Sequence, residues 1–245
     1  MRRLPFAALT LTGLAVLLMV AAPAQAIFHF AHISEIMASY DNDDTVQFVE
    51  VEMKTGSQNG IANAVIAVFD FDGTYLTDLI VFPSNVANSG AGVTFIVGTS
   101  SFQTASGLTP DFVAGSADLP TGGGMVCFGG GGGAVPQNPP VWDRTLLETY
   151  VDCLAYGYYT GVTKTASGNP TPLLPEGHSL TRVSDTNDNE TDFDCGDPAT
   201  PTNNGGASVN MDATIVECPE PALAISLVAG IGMLVGLRRR GHRRC

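Results

Sequence analysis

From residue 27 to residue 217 the apolar side chains come in short runs, and no stretch repeats with the 3.6-residue period of a helix. Val49, Val51 and Met53 alternate with Glu50 and Glu52, as a strand with one wet face would, and Phe48 interrupts the pattern on the wet side. Further runs are Val65-Ile66-Ala67-Val68-Phe69, Leu79-Ile80-Val81-Phe82, Val93-Thr94-Phe95-Ile96-Val97 and Met125-Val126-Cys127-Phe128. An aromatic stretch over 151–159 adds another. Asp72-Gly73 between apolar flanks is a hairpin signal. Short strands at this spacing predict an all-β fold of β-sandwich type. The glycine runs 122–124 and 129–133 read as flexible loops around one strand, and the proline-rich stretches 136–140 and 170–175 as further loops. The five-glycine run lacks the Lys-Ser/Thr ending of a phosphate loop.

The two ends differ from this body. Arg2 and Arg3, the apolar run 9–22, Pro23 and the small residues Ala24 and Ala26 have the order of a secretory signal peptide, predicting a signal helix over 1–26 and a mature start near Ile27. At the other end the apolar run 222–237 precedes an arginine cluster. Sixteen helical residues at ~1.5 Å each reach about 24 Å, short of a ~30 Å hydrocarbon core. Such a helix spans only with thinning or snorkelling, and its arginines stay on the cytoplasmic side. That pattern suits a transient inner-membrane anchor.

Pro219, Glu220 and Pro221, the glycine-containing apolar helix, and Arg238, Arg239 and Arg240 together resemble the PEP-CTERM sorting signal of bacterial exported proteins. The resemblance implies cleavage near Pro219 by a membrane-embedded exosortase, after signal peptidase has acted at the front. It also implies delivery to the envelope, the cell surface or the extracellular matrix. A second resemblance rests on the order Ile33-Ser34-Glu35-Ile36, Gln47-Phe48-Val49-Glu50-Val51, Gly177-His178-Ser179-Leu180-Thr181-Arg182, Asp192-Phe193 and Thr200-Pro201. This series is similar to bacterial lamin-tail domains, which implies an immunoglobulin-like β-sandwich. The expected organisation is a signal peptide (1–26), a lamin-tail-like domain (27–205), a stem (206–218) and a sorting signal (219–245). Within the domain, Leu180 and Phe193 are expected in the core, Ser179 and Thr181 outside it, and His178 at the surface. Arg182 and Asp192 are expected as an exposed pair contributing about 0–1 kcal/mol.

Charge narrows the function. The chain's formal charge is −13, yet all 24 acids lie in the interval 27–220 against only Lys54, Arg144, Lys164 and Arg182, leaving that interval at −20. Such a body repels phosphate, so nucleic acid is not an expected partner. Export makes Cys127, Cys153, Cys195 and Cys218 disulfide candidates. Of three possible connectivities, Cys127–Cys153 and Cys195–Cys218 close moderate loops, each contributing about 3 kcal/mol.

One segment has metal-ligand character. Asp185, Asn187, Asp188, Asn189, Glu190, Asp192 and Asp194 place hard oxygens at near-alternate positions, as Ca2+ requires, without completing an EF-hand. Asp41-Asn42-Asp43-Asp44 reads as a turn. For catalysis the residues offer little: His29 and His32 fall at a terminus expected to fray, and no nucleophile–base motif is present. The expectation is therefore a non-enzymatic structural or adhesive module that meets envelope or matrix polymers and needs no cofactor. A Ca2+-dependent glycan- or polymer-binding module is the alternative, and a secreted hydrolase a third reading.

Overall fold

A computed structural model describes residues 30–130, 143–171, 177–196 and 198–212. The signal segment with Ala24 and Ala26, Asp197, Cys218, and the sorting motif from Pro219 to Arg240 lie outside the described residues. No helix among the described residues is long and apolar enough to cross a membrane.

Among the described residues ten strands form two sheets. They are β1 (Ala31–Met37), β2 (Phe48–Met53), β3 (Val65–Phe69), β4 (Tyr75–Val81), β5 (Thr94–Gly98), β6 (Phe112–Val113), β7 (Gly123–Gly129), β8 (Tyr150–Gly157), β9 (Ser179–Arg182) and β10 (Phe193–Gly196). The first sheet runs β10-β9-β1-β2-β5-β6 and the second β4-β3-β7-β8. All the strand pairs are antiparallel except β5 with β6. Ile33, Ile36, Val49, Val51, Phe95 and Val97 of the first sheet meet Ile66, Val68, Val126, Phe128, Leu154 and Tyr156 of the second in one buried cluster. The architecture is thus mostly β, with two layers on a shared core, compatible with a β-sandwich.

Strands β2, β3, β5, β7 and β8 fall on the predicted apolar runs, whereas β4 begins four residues before its run over 79–82 and β6 and β10 lie on none; Gly73 turns the β3–β4 hairpin at a φ of 87°. A short helix, α1 (Ser100–Ser106), was not expected. Thr99 caps it through its side chain, Gly107 ends it in the left-handed conformation, and Phe102 anchors it. The glycines at 123, 124 and 129 are not loop but β7 itself. A Cβ on Gly123 would lie 2.4 Å from the Tyr158 nitrogen, and one on Gly124 2.7 Å from the Phe69 carbonyl oxygen. Close backbone approach, rather than flexibility, fixes glycine there.

Both sheets are covered on the outer faces of their central strands, which corrects the expectation of a wet face on β2. On the second sheet, Val65, Ala67, Phe69, Met125, Cys127 and Cys153 are buried with Tyr150 and Tyr159. Two-sided burial explains why β3 and β7 read as continuous apolar runs. Arg144 ties this cover down, its guanidinium donating to both carboxylate oxygens of Asp78 on β4 at 2.8 and 2.6 Å.

On the first sheet, α1 packs Phe102 against Phe48, and Met37 and Ile96 join them. The part of that face around Glu35, Glu50 and Thr94 lies under the segment 199–211, hereafter the strap. The strap doubles back, Ala199 pairing with Met211 and Thr202 with Ser208. Ala199 is fully buried and Met211 nearly so. Residues 206–212, expected as a free stem, therefore belong in part to the packed unit. The extended half of the strap is held by side chains rather than by a neighbouring strand. The N–H groups of Thr200, Thr202 and Asn204 donate to the carboxylates of Glu35 (3.0 Å), Glu50 (2.6 Å) and Asp111 (2.9 Å). The two-residue spacing is the strand period, so alternate N–H groups face the sheet.

A bulge aims the first of these carboxylates. β1 pairs Ile33 with Val51 but Glu35 with Glu50, so Ser34 is an extra residue. Ala31 and Ile33 before it, and Ile36 and Ala38 after it, all enter the core, while Glu35 is directed to the strap.

Candidate functional site

The densest charged cluster forms where β9 leaves the first sheet. Arg182, the last residue of β9, has a side chain only 5% exposed, against 16% for Asp152 and 1% for Asp192. Its Nε donates to the Ile33 carbonyl at 2.8 Å and one terminal nitrogen to Asp152 of β8 at 2.6 Å. The other terminal nitrogen lies 3.6 Å from Asp192, and the guanidinium sits 4.4 Å from the centre of the Phe193 ring. Asp152 also accepts the Ile33 N–H at 2.8 Å, so one carboxylate and one guanidinium clamp both main-chain groups of Ile33. β9 pairs with β1 only at Glu35 and Ile36 and ends at Arg182, so side chains rather than a further β9 residue take these groups. The expected exposed Arg182–Asp192 pair is thus corrected to a buried one: their side chains are 5% and 1% exposed.

The acidic segment folds around Asp192. Its carboxylate accepts from the Ser184 hydroxyl and from the N–H groups of Thr186 and Asp188. Burial acts to raise this carboxyl, but the bonds from Thr186, Ser184 and Asp188 outweigh it and hold it below the ordinary aspartate range. Residues Asn189–Asp192 form a single helical turn, α2. Asp188 accepts the Asn169 N–H, and Asn189 donates from its buried side-chain amide to the Cys153 carbonyl. Asn187 holds a positive φ of 66°. Asp185 lies 3.5 Å from Lys54 and 3.8 Å from Arg182, Glu190 is exposed, and Asp194 accepts its neighbour Cys195's N–H. The seven residues read as a possible Ca2+ loop therefore do not converge on one point. Among the described residues no group of three or more His, Cys, Asp and Glu side chains is gathered to hold a metal ion.

His32 lies beside this cluster in β1, buried rather than at a frayed terminus. Its Nε2 is 3.2 Å from Glu52, while its Nδ1 is buried without a hydrogen-bond partner. Burial first, then the charge of Arg182, lowers its pKa, so the ring is neutral at pH 7 and Nε2–H donates to Glu52. His178, expected at the surface, is buried at 1% exposure, and Ser179 is wholly buried beneath the strap. For Ser179 the cover comes from residues distant in sequence, since Thr200 of the strap shares its partner Glu35.

Cys127 and Cys153 face each other across β7 and β8 and form a disulfide with Cα atoms 4.1 Å apart, as expected. Cys195 is also held in a disulfide. Its expected partner, Cys218, lies outside the described residues. All four basic side chains of the body meet carboxylates: Lys54 meets Asp185, Arg144 meets Asp78, Lys164 meets Glu148, and Arg182 meets Asp152. The positive charge is thus neutralised locally, and the remaining field is acidic.

A cleft of about 580 Å³ opens on the far side, over the second sheet. Phe69, Leu146, Leu147 and Val162 give it an apolar lining, with Thr145 and Thr163 beside them. Glu148 at its edge is engaged by the Thr165 N–H and hydroxyl. The chemistry of the cleft is that of a contact surface, since its carboxylates Asp72 and Glu148 already hold main-chain donors.

Sequence reasoning passed over Asp152, Glu35, Glu50 and Asp111 as site residues. The available signal was an acid inside an apolar strand pattern: Glu35 between Ile33 and Ile36, Asp152 beside Val151. Comparison with protein-family models, curated proteins and solved structures yields no match.

Proposed function

We propose that this chain is an exported cell-surface or matrix protein, a structural or adhesive module delivered by a signal peptidase and an exosortase-type sorting system. The observation that carries the reading is the disulfide Cys127–Cys153 inside a body flanked by segments 1–26 and 219–245, whose sequences read as addresses. A bonded cysteine pair suits an oxidising compartment. The body's wiring supports a module without a reaction of its own. Arg182, Asp152, Asp192, Glu35 and Glu50 all hold main-chain groups or one another. The lamin-tail resemblance of the motif order makes an immunoglobulin-like topology our finer reading of the two-sheet architecture. The acidic surface suits neutral or cationic envelope polymers as partners.

The test is the intact mass of the protein recovered from the native host's envelope and medium. A product that starts near Ile27 and ends near Pro219 is expected. One that retains 222–245 overturns the sorting reading and leaves a plain anchored ectodomain.

A further inference from the structure

The strap is fastened in an unusual way. Its extended half donates three alternate N–H groups, from Thr200, Thr202 and Asn204, and each goes to a side-chain carboxylate. Glu35 and Glu50 are 2% and 6% exposed, so the strap seals them from water. Around them stand few compensating charges. On β1, Ser34 donates to Glu50 at 2.7 Å. Glu52 of β2 adds a like charge and is itself engaged with neutral His32. β9 offers only the hydroxyls of Ser179 and Thr181 to Glu35, and β5 contributes Thr94, which donates to the Thr202 carbonyl. The loop before β6 brings the third acid, Asp111, whose carboxylate also accepts the Ile96 N–H. Residues 199–211 themselves carry no ionisable side chain.

We infer that the strap is a proton-dependent latch, seated most firmly when the carboxyls beneath it are protonated and progressively freed as they ionise. Seating the strap over ionised Glu35, Glu50 and Asp111 buries three like charges with no cation among them, whereas lifting it returns them to water. A protonated carboxyl keeps a carbonyl oxygen to accept the strap's N–H, so neutralisation removes the desolvation penalty without removing the anchor. The direction follows from linkage. Burial raises all three groups, Glu50 to about 7. A group whose pKa is higher in the closed state favours closure below its open-state value, and that preference is lost as pH rises through the closed-state value. The latch therefore holds in mild acid and loosens toward neutral and alkaline pH, lengthening the tether to whatever follows residue 212.

The experiment is hydrogen–deuterium exchange on the full chain in detergent micelles between pH 5 and pH 8, with each rate corrected for intrinsic base catalysis. Peptides covering 199–211 should lose protection roughly 50-fold across that range from Glu50 alone. Peptides of β3 and β7 should change far less. In Glu50→Gln, whose amide keeps an acceptor for Thr202, the strap's pH dependence should flatten markedly. Protection that is flat with pH in the wild type, or that changes equally in Glu50→Gln, overturns the inference. Should that variant not fold, carbon-13 titration of the wild-type glutamate carboxyls decides. A Glu50 midpoint that coincides with the strap's loss of protection supports the latch, and a midpoint in the ordinary glutamate range overturns it.

Discussion

Replacing Arg182 by methionine tests the central claim about the charged cluster, that it is buried structure and not surface decoration. The substitution keeps the apolar stem and removes the guanidinium that contacts the Ile33 carbonyl at 2.8 Å, Asp152 at 2.6 Å and Asp192 at 3.6 Å. Two carboxylates would be left facing an apolar neighbour, one of them only 1% exposed. Removing one partner of a buried pair destabilises by about 3–5 kcal/mol. In a domain of this size each kcal/mol moves Tm by about 2–4 °C, giving a fall of about 6–20 °C. Guanidinium titration followed by far-ultraviolet circular dichroism measures the loss. A further readout separates this mechanism from simple loss of packing. Adding Asp152→Asn, which removes a charge but keeps an acceptor for the Ile33 N–H, should recover at least about 1 kcal/mol. A loss below about 1 kcal/mol, the value of an exposed pair, refutes the argument. So does a double mutant that is merely additive.

Two other expectations are more direct. Cys127→Ala with Cys153→Ala opens a loop between residues 26 apart and should cost about 3.5 kcal/mol in the chain-entropy model; non-reducing peptide mapping should in the same preparation join Cys195 to Cys218. Asp192→Asn should lower Tm by the same amount with and without added calcium, because its carboxylate serves Ser184, Thr186 and Asp188; a Tm gain on calcium addition that the variant abolishes would instead return the segment to a metal-binding role.

The strands were legible because burial on both faces left continuous apolar runs in β3, β5 and β7, and a turn signal at Asp72-Gly73 separated β3 from β4. Leu180 and Phe193 also take the core positions expected of them. What misled was local reasoning about exposure. Glu50 alternates with valines as a solvent-facing residue does, yet Thr202, 152 residues later, lies over it. His32, His178 and Ser179 were assigned to surface or terminus for the same reason, since no pattern within a strand reports a cover built from another part of the chain. Arg182 was singled out correctly, but its main partner, Asp152, sits 30 residues away in a different sheet and shares no spacing rule with it. The helix α1 escaped because seven residues with one buried anchor have no period to detect; its capping residues Thr99 and Gly107 were the only trace. Gly123 and Gly124 misled in the opposite sense, since a glycine that clears a neighbouring backbone looks in sequence like one that frees a loop.

The extra residue at Ser34 gives β1 a property that side-chain chemistry alone does not describe: its meaning depends on counting. Removing Ser34 would leave Ala31, Ile33, Ile36 and Ala38 in simple alternation with Glu35 still on the strap side, whereas a strand that kept all its residues but ran without the bulge would turn Glu35 into the apolar interior and swing Ile36 and Ala38 to the strap side. Every residue type would be unchanged, yet the interior would gain a carboxylate and the strap would lose its first anchor. The bulge is therefore what keeps a strand of this length in register with its own core. Comparisons with distant relatives that slide β1 by one position would pair the wrong faces throughout its second half.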